Sequence, residues 1–227
     1  MAIRFGLAYL IAFAALPLVT GRALDAQLNW KRIPAAWTNA GADLDRELPA
    51  NSRAIELPGS VFYYYDWGGT VDAILPRVTE RPVAARYETP LADLHSVDLL
   101  TTVDGLFQQR RLFPGQLAPL LRLMGVGAVV SGTDSDLSRT GALDPASAAD
   151  ELAGQGLREP SRAYGGERTV EPGSGELGEP LALPQVRRHD VDPGRGIVHV
   201  APRGPATIVE GSAPGVANLA AFGALPE

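Results

Sequence analysis

Residues 57–70 carry the densest chemistry of the chain, with the sequence LPGSVFYYYDWGGT. Five aromatic rings and one carboxylate lie within these fourteen positions. Aromatic rings stack on the C–H faces of pyranose and furanose sugars, and a carboxylate accepts hydrogen bonds from sugar hydroxyls. The stretch therefore offers a glycan-binding surface, whose candidate residues are Tyr63, Tyr65, Asp66 and Trp67.

The same spacing also has a structural interpretation. Alternate rings of the stretch point into the core, and the others pack at an interface or near a membrane surface. In this interpretation, Arg81 and Arg86 pair with Asp66 or Asp72 and hold the stretch in place. The sequence leaves both interpretations open and predicts that the stretch is a loop after the first strand.

No recognised catalytic or cofactor-binding pattern accompanies the aromatic stretch. The three histidines, His95, His189 and His199, lie outside any metal-ligand spacing such as HExxH. The chain has no GxSxG nucleophile motif, no GxxxxGK phosphate loop and no dinucleotide fingerprint at a predicted strand-to-helix junction. The sequence therefore predicts no catalytic residue, no metal site and no cofactor.

The predicted strand at residues 126–130 has notable residues at both of its ends. Gly125 and Gly127 lie at its start rather than after it, so they indicate a helix stop and tight packing instead of a nucleotide loop. Asp134 and Asp136 follow the strand, where ligand-binding loops occur, although aspartate in a turn also caps the backbone.

Composition excludes several classes of function. The chain has 227 residues, of which 45% are apolar and 20% are charged, as expected for a folded domain. A net charge of −6 removes the general attraction that nucleic acid requires. Cysteine is absent, which excludes disulfides, thiol nucleophiles and cysteine metal sites.

The first 22 residues are predicted to form a transmembrane helix. Residues 5–21 carry no charge, and Arg4 and Arg22 bracket them. This length lies at the lower limit for a membrane span, which is about 17 residues. A signal peptide cut near residues 23–26 and a buried helix of the folded domain are the alternatives. Both a span and a signal peptide place the rest of the chain outside the cytoplasm.

The remaining sequence predicts an α/β domain with a mixed sheet and flanking helices. Residues 27–157 form most of this domain, residues 158–184 form a flexible loop, and residues 185–227 complete the same domain. Apolar periodicity and proline or glycine punctuation predict helices at 34–48, 94–109, 114–124, 145–155 and 214–222, with a short one within 70–81. Strands are predicted at 53–57, 126–130, 186–191, 197–200 and 207–209.

The order of several motifs resembles that of a known family. They are LPGSxFxxYxWGxTxD at 57–72, Arg81-Pro82 with Arg86, LLxxVD at 99–104 and LRLMGVGAVV at 121–130. Together they are similar to the actinobacterial α-(1→3)-arabinofuranosyltransferases, which are multi-pass membrane glycosyltransferases of the GT-C class. These enzymes build cell-wall arabinan from a polyprenyl-phosphate sugar donor. The similarity indicates the C-terminal part of the transferase region.

This resemblance implies an extracytoplasmic domain or fragment of a membrane arabinofuranosyltransferase-like protein. Its implied partners are the remaining transferase core or another membrane subunit, a cell-wall glycan and the lipid bilayer. The family's catalytic carboxylate lies in an early loop between membrane spans, and a chain with one span has no such loop, so no catalytic residue can be assigned here. A secreted or membrane-anchored glycan-binding module without catalysis is the alternative.

Overall fold

The computed structural model describes residues 2–20, 32–87, 92–173, 179–198, 200, 209 and 211–225. These residues form a mixed α/β fold, as the sequence predicts. The helices are α1 (Ala2–Val19), α2 (Ala35–Glu47), α3 (Leu75–Val78), α4 (Leu94–Gln108), α5 (Leu117–Leu123), α6 (Leu137–Thr140), α7 (Pro145–Gly154) and α8 (Ala213–Ala221). The strands are β1 (Arg53–Glu56), β2 (Tyr63–Tyr65), β3 (Gly68–Val71), β4 (Val83–Ala84), β5 (Val126–Gly132), β6 (Arg162–Val170) and β7 (Leu181–Asp190).

The main sheet has five strands in the order β4-β1-β5-β7-β6. β1 runs parallel to β4 and β5, whereas β7 runs antiparallel to β5 and β6. The sequence of β5, VGAVVSG, is almost continuously apolar, and all of its residues except Gly132 are buried. A central strand is covered on both faces of the sheet, which explains why β5 lacks the polar alternation of a half-exposed strand.

Apolar clusters cover both faces of this sheet. On one face, Trp37 and Leu44 of α2 pack near Ala54 of β1, together with α3 and the β2–β3 hairpin. On the other face, Phe107 of α4 and side chains of α5, α7 and α8 pack near Ile55. Because Ala54 and Ile55 are adjacent in a strand, they point in opposite directions and belong to different clusters.

α2 approaches α3 closely at Gly41. A Cβ atom at this position would lie 1.9 Å from the carbonyl oxygen of Val78, at the end of α3. Only glycine therefore permits this distance between the two backbones. The contact secures α2 on the face of the sheet that also carries the hairpin.

Most helices begin and end close to their predicted bounds. α2, α4, α7 and α8 agree with their predicted ranges to within about two residues. The side chain of Asp144 caps α7 by accepting hydrogen bonds from the backbone N–H groups of Ala146 and Ser147, and Pro145 occupies the first turn. Only α5 is clearly shorter than predicted.

Three predictions about loops and strands are wrong. Residues 57–70, predicted to be a loop, contain β2 and most of the β2–β3 hairpin, and residues 158–184 contain all of β6 and the start of β7. In β6, Gly165 has a φ of +79°, and the pairing with β7 shifts register between Tyr164 and Glu167. This irregularity interrupts the alternation of inward and outward side chains, so the sequence of β6 lacks the regular pattern of a strand. Residues 197 and 198 form no strand, while residues 199, 207 and 208 lie outside the described residues.

The N-terminal segment forms α1, which ends at Val19. Among the residues that the structure describes, no helix has both the length and the hydropathy needed to cross a membrane. The predicted transmembrane helix over residues 1–22 is therefore not confirmed.

Candidate functional site

The β2–β3 hairpin positions the aromatic stretch. Tyr63 and Tyr65 are buried and Tyr64 between them is half-buried, as the two-residue period of a strand requires. Asp66 is exposed at the turn and Trp67 is half-buried. Of the four predicted glycan-binding residues, only Asp66 and Trp67 thus reach solvent, and their sugar-binding role stays a prediction.

The inward-facing rings form one aromatic cluster. The rings of Tyr65 and Trp67 are stacked, with centroids 4.6 Å apart and an angle of 13° between their planes. Trp37 of α2 meets Tyr65 edge-on at 5.8 Å, and Tyr63 lies 6.3 Å from Tyr65. These offset and edge-on arrangements are the favourable geometries for aromatic pairs. The cluster therefore anchors the hairpin to α2.

Asp134, which follows β5, links three elements through one carboxylate oxygen. Its Oδ2 accepts hydrogen bonds from Trp37 Nε1 (2.9 Å), Trp67 Nε1 (2.8 Å) and Gln185 Nε2 (3.0 Å). The residue is only 1% exposed. Burial raises the pKa of Asp134, and the three donors oppose this shift because they stabilise the ionised form. Asp134 therefore joins α2, the hairpin and β7 in the core.

Glu56 is a second buried carboxyl group, at the end of β1. Its Oε1 accepts a hydrogen bond of 3.2 Å from the Tyr65 hydroxyl, which itself accepts one from the backbone N–H of Ile74. Burial raises the pKa of Glu56 from 4.5 to about 8, and the nearby Asp134 adds to the shift. Glu56 is therefore largely protonated at neutral pH.

Glu56→Gln is expected to remove a pH dependence of the free energy of unfolding. Between the ordinary pKa of 4.5 and the folded value of about 8, the folded state keeps the Glu56 proton and the unfolded state loses it. The associated stability is complete below pH 4.5 and is lost as the pH rises through about 8. Urea unfolding of both proteins between about pH 5 and pH 8 tests this. Parallel profiles would contradict it.

Asp104 of α4 holds the segment that precedes the hairpin. Its carboxylate accepts hydrogen bonds from the backbone N–H of Gly59 (2.7 Å), Arg86 Nη1 (2.8 Å) and Gln108 Nε2 (2.8 Å). Gln108 also donates to the carbonyl oxygen of Gly59 at 2.7 Å. Because Asp104 is only 1% exposed, its pairing with Arg86 is a largely desolvated salt bridge.

The predicted pairing of Arg81 and Arg86 with Asp66 or Asp72 is wrong. Arg86 pairs with Asp104, and Arg81 donates a hydrogen bond to the backbone carbonyl oxygen of Asp45 in α2. The two predicted acceptors have other partners: Asp66 pairs with Arg168 of β6, and Asp72 pairs with Arg77 of α3. Sequence proximity suggested these pairs, but the turn of the hairpin faces β6 instead.

A groove of about 790 Å³ lies beside the hairpin, between β4 and α4. Apolar side chains of the hairpin and of α4 line much of it, including Val71 and Leu100. Polar groups also line it, among them Asp72, Arg86 and Tyr87. Tyr87 is 38% exposed. Sequence reasoning missed this groove because its walls come from segments that are far apart in the chain.

The structure describes two of the three histidines, one in α4 and one in β7. His95 follows the N-cap of α4, where its backbone N–H donates to Asp93, and His189 is buried in β7. His199 lies outside the described residues. Within the part of the chain that the structure describes, no group of three or more His, Cys, Asp or Glu side chains could hold a metal ion.

Comparison with protein families decides the classification. The profile described as "Alpha-(1->3)-arabinofuranosyltransferase, N-terminal GT-C domain" matches residues 1–227. The chain belongs to this family. The match corrects the sequence-based placement of the chain within the arabinofuranosyltransferases, because the matching profile describes the N-terminal domain and not a C-terminal part.

Individual arabinofuranosyltransferases agree with this assignment. The chain is 30% identical over 131 residues to the alpha-(1->3)-arabinofuranosyltransferase of Mycolicibacterium smegmatis, covering 56% of this chain and 9% of that protein. The cryo-EM structure of the arabinofuranosyltransferase AftD from Mycobacteria has 24% identity and a TM-score of 0.69 over 87% of this chain. A mutant form of AftD has 23% identity and a TM-score of 0.68 over 83% of this chain. At these identities, the two structures show a shared fold.

The chain spans only a small part of these relatives. It covers 9% of the Mycolicibacterium protein and 15% of either AftD structure. The fold and the family therefore apply to this chain, whereas the activity of the whole relatives applies to much longer proteins.

Proposed function

We propose that this chain acts as part of a membrane arabinofuranosyltransferase in cell-wall arabinan synthesis, with its folded region on the extracytoplasmic side. The family match over residues 1–227 supports this role. In this proposal the chain packs against the remaining transferase core or another membrane subunit and guides the glycan acceptor. The groove beside the hairpin is the observation that supports binding of the glycan acceptor by this chain.

The size and lining of the groove suit an oligosaccharide. Its volume of about 790 Å³ lies within the range of ligand pockets, which is about 300–1,000 Å³. The half-exposed ring of Tyr87 offers a face on which a furanose can stack. Asp72, Ser96 and Thr101 also line the groove and supply oxygen atoms for hydrogen bonds with sugar hydroxyls.

Arg86 contributes an orienting donor to the same groove. Its guanidinium is held by Asp104, and the side chain is about one quarter exposed. A fixed guanidinium presents several N–H donors in a rigid plane, which matches neighbouring hydroxyl oxygens. The groove thus combines an aromatic face, acceptors and a pre-oriented donor. Asp66 and Trp67, at the turn of the hairpin, are proposed as an outer contact for the same glycan.

The catalytic groups are proposed to lie in other parts of the transferase. In the part of the chain that the structure describes, the buried carboxyl groups of Glu56 and Asp134 serve the aromatic cluster rather than an open site. The groove itself presents Asp72, which pairs with Arg77. We therefore assign this chain an acceptor-guiding role and no bond-forming step.

Tyr87→Ala is expected to weaken binding of an α-(1→3)-linked arabinofuranose oligosaccharide by about 2- to 12-fold. The expected loss is that of one aromatic contact, which is about 0.5–1.5 kcal/mol. Isothermal titration calorimetry on the full chain measures it. Tyr9→Ala, in α1 and absent from the lining of the groove, is the matched control and should leave the affinity unchanged. Equal affinities for wild type and Tyr87→Ala would contradict a role for the groove.

A second candidate function is a glycan-binding module without any transferase partner. The exposure of Asp66 beside the half-buried ring of Trp67 favours this alternative, because both lie at the hairpin turn rather than in the groove. Trp67→Ala distinguishes the two functions. A large loss of affinity with Trp67→Ala and none with Tyr87→Ala favours the module, and the reverse favours the acceptor groove.

A further inference from the structure

A short segment after β7, residues 192–198, contributes to the wall of the groove. Two of its residues, Gly196 and Ile197, line the groove together with Arg53, the first residue of β1. We call residues 192–198 the strap. The strap contains no helix or strand, so its position depends on the contacts that hold it.

Asn51 holds the strap beside β1. Its Nδ2 donates a hydrogen bond to the carbonyl oxygen of Val198 (2.6 Å), and its Oδ1 accepts one from the N–H of the same residue (3.0 Å). The backbone carbonyl oxygen of Asn51 also accepts a hydrogen bond from the N–H of Ile197 at 2.9 Å. An asparagine amide can donate and accept at once, so this one residue satisfies both backbone groups of Val198. Asn51 therefore fixes the position of Ile197 in the wall of the groove.

The strap lies directly against the backbone next to Arg53. A Cβ atom at Gly196 would lie 2.3 Å from the carbonyl oxygen of Asn51, and one at Gly125 would lie 2.7 Å from the carbonyl carbon of Gly196. Only glycine permits these distances. The N–H of Arg53 donates a hydrogen bond to the carbonyl oxygen of Gly125 at 3.0 Å. The strap and Arg53 therefore belong to the same end of the groove.

Arg53 brings a donor without a partner to this end. Its Nε atom is buried and has no hydrogen-bond partner among the described residues. Arg86, which also lines the groove, differs because Asp104 accepts a hydrogen bond from its guanidinium. A buried donor without a partner is unfavourable, so this end of the groove favours a ligand that supplies an acceptor oxygen.

Arg53 and Arg86 are well separated along the groove. In the parallel pairing of β1 with β4, Ala54 is opposite Val83, so Arg53 is level with Pro82. Arg86 lies about four residues beyond this point, which corresponds to about 13 Å of extended backbone. This separation exceeds the size of one monosaccharide. A ligand that contacts both arginines must therefore contain several sugar residues.

We propose that Arg53 and the strap form a second sugar subsite, so that the groove binds an oligosaccharide that spans both of its ends. This inference rests on the proposed acceptor groove. Tyr87 and Arg86 bind one furanose of the chain, while Arg53 donates to hydroxyl oxygens of another and Ile197 packs against its C–H face. Asn51 is a positioning residue, because it contacts the strap and is absent from the lining of the groove.

The dependence of affinity on oligosaccharide length tests this subsite. Calorimetric titration of the full chain with an α-(1→3)-linked arabinofuranose disaccharide and hexasaccharide gives the ratio of the two affinities. The wild type is expected to bind the hexasaccharide about 10-fold more tightly, as one additional hydrogen bond to a charged donor allows. Arg53→Met keeps an apolar side chain of similar length and should lower this ratio to about 2. Arg158→Met, at an exposed arginine outside the lining of the groove, is the matched control and should keep the ratio.

Asn51→Ala tests the positioning role. It should lower the same ratio, and it should add no further loss in an Ile197→Ala background, because both substitutions act on one wall. Amide hydrogen exchange at Val198 should become faster, since its N–H loses Oδ1 of Asn51. Asn39→Ala changes an exposed asparagine of α2 and should alter neither the ratio nor this exchange rate.

The outcomes separate the subsite from the groove itself. If the wild type binds neither oligosaccharide, the proposed acceptor groove is wrong and the second subsite is wrong with it. If the wild type binds both, but Arg53→Met and Asn51→Ala keep the wild-type ratio, only the second subsite is overturned. Additive losses for Asn51→Ala and Ile197→Ala would overturn the positioning role of Asn51.

Discussion

Asp134→Ala is expected to lower the free energy of unfolding by about 3–5 kcal/mol. The substitution removes the acceptor shared by Trp37, Trp67 and Gln185, and it leaves two indole N–H groups and one amide without this partner in or near the core. It also removes the volume of a fully buried side chain. Urea unfolding followed by tryptophan fluorescence measures the change, since both indoles report on the site.

Asp150→Ala is the matched control for this experiment. Asp150 is an exposed aspartate of α7, and surface substitutions of this kind change stability by about 0.5 kcal/mol or less. The loss of unfolding free energy in Asp134→Asn should lie between those of Asp134→Ala and Asp150→Ala. The amide of asparagine keeps one acceptor oxygen, but its NH₂ group places a donor next to the other donors of the site. A loss below about 1 kcal/mol for Asp134→Ala would show that the cluster does not depend on this carboxylate.

Asp104→Ala is expected to lower the free energy of unfolding by about 3 kcal/mol and also to weaken glycan binding. It leaves the Arg86 guanidinium and the Gly59 N–H without their buried acceptor. Arg86 then loses its fixed orientation in the groove, so the affinity for an arabinofuranose oligosaccharide should fall several-fold. Chemical unfolding and calorimetric titration of the same preparation measure the two effects.

A double-mutant cycle isolates the Asp104–Arg86 pair. Arg86→Ala alone leaves Asp104 as a buried charge with two remaining donors, Gly59 and Gln108. The double variant Arg86→Ala, Asp104→Ala should therefore be less destabilised than the sum of the single variants, with a coupling energy of about 1–3 kcal/mol. The Arg86 Nη1 and Asp104 Oδ2 atoms are 2.8 Å apart. If the losses of unfolding free energy in the two single variants add up to that of the double variant, this ion pair contributes no coupling energy.

The elements that the sequence predicts well are those with strong local signals. α4 and α7 have apolar periodicity and an aspartate N-cap, and β5 has a continuous apolar run. These features are set within about ten residues, so no knowledge of distant partners is needed. The motifs at 57–72 and 121–130 also suffice to indicate the family, which the profile match confirms.

The errors arise where distant segments decide the local structure. Tyr63, Tyr64 and Tyr65 alternate between buried and half-buried, yet the glycine and proline residues around them obscure the strand. β6 is stabilised by pairing with β7, while Gly165 and Gly166 interrupt its pattern. Its membership in the sheet is therefore a tertiary effect that local propensity does not reveal.

The candidate site is even less accessible from sequence. Asp134 was a candidate for ligand binding or backbone capping, but its partners Trp37 and Trp67 lie 97 and 67 residues away. The two buried acids beside the aromatic cluster, Glu56 and Asp134, share no motif, so no spacing in the sequence indicates that they lie near each other. Only the packing of α2 and the hairpin on the sheet brings these groups together.

The most direct test of the proposed acceptor groove is a chemical-shift map of the isotopically labelled full chain with an α-(1→3)-linked arabinofuranose oligosaccharide. We expect the largest shift changes at Tyr87, Ser96 and Thr101, which line the groove, and saturation at a single affinity. An oligosaccharide of another sugar gives the baseline. Absence of any shift change, or changes confined to Asp66 and Trp67 at the hairpin turn, would contradict the account.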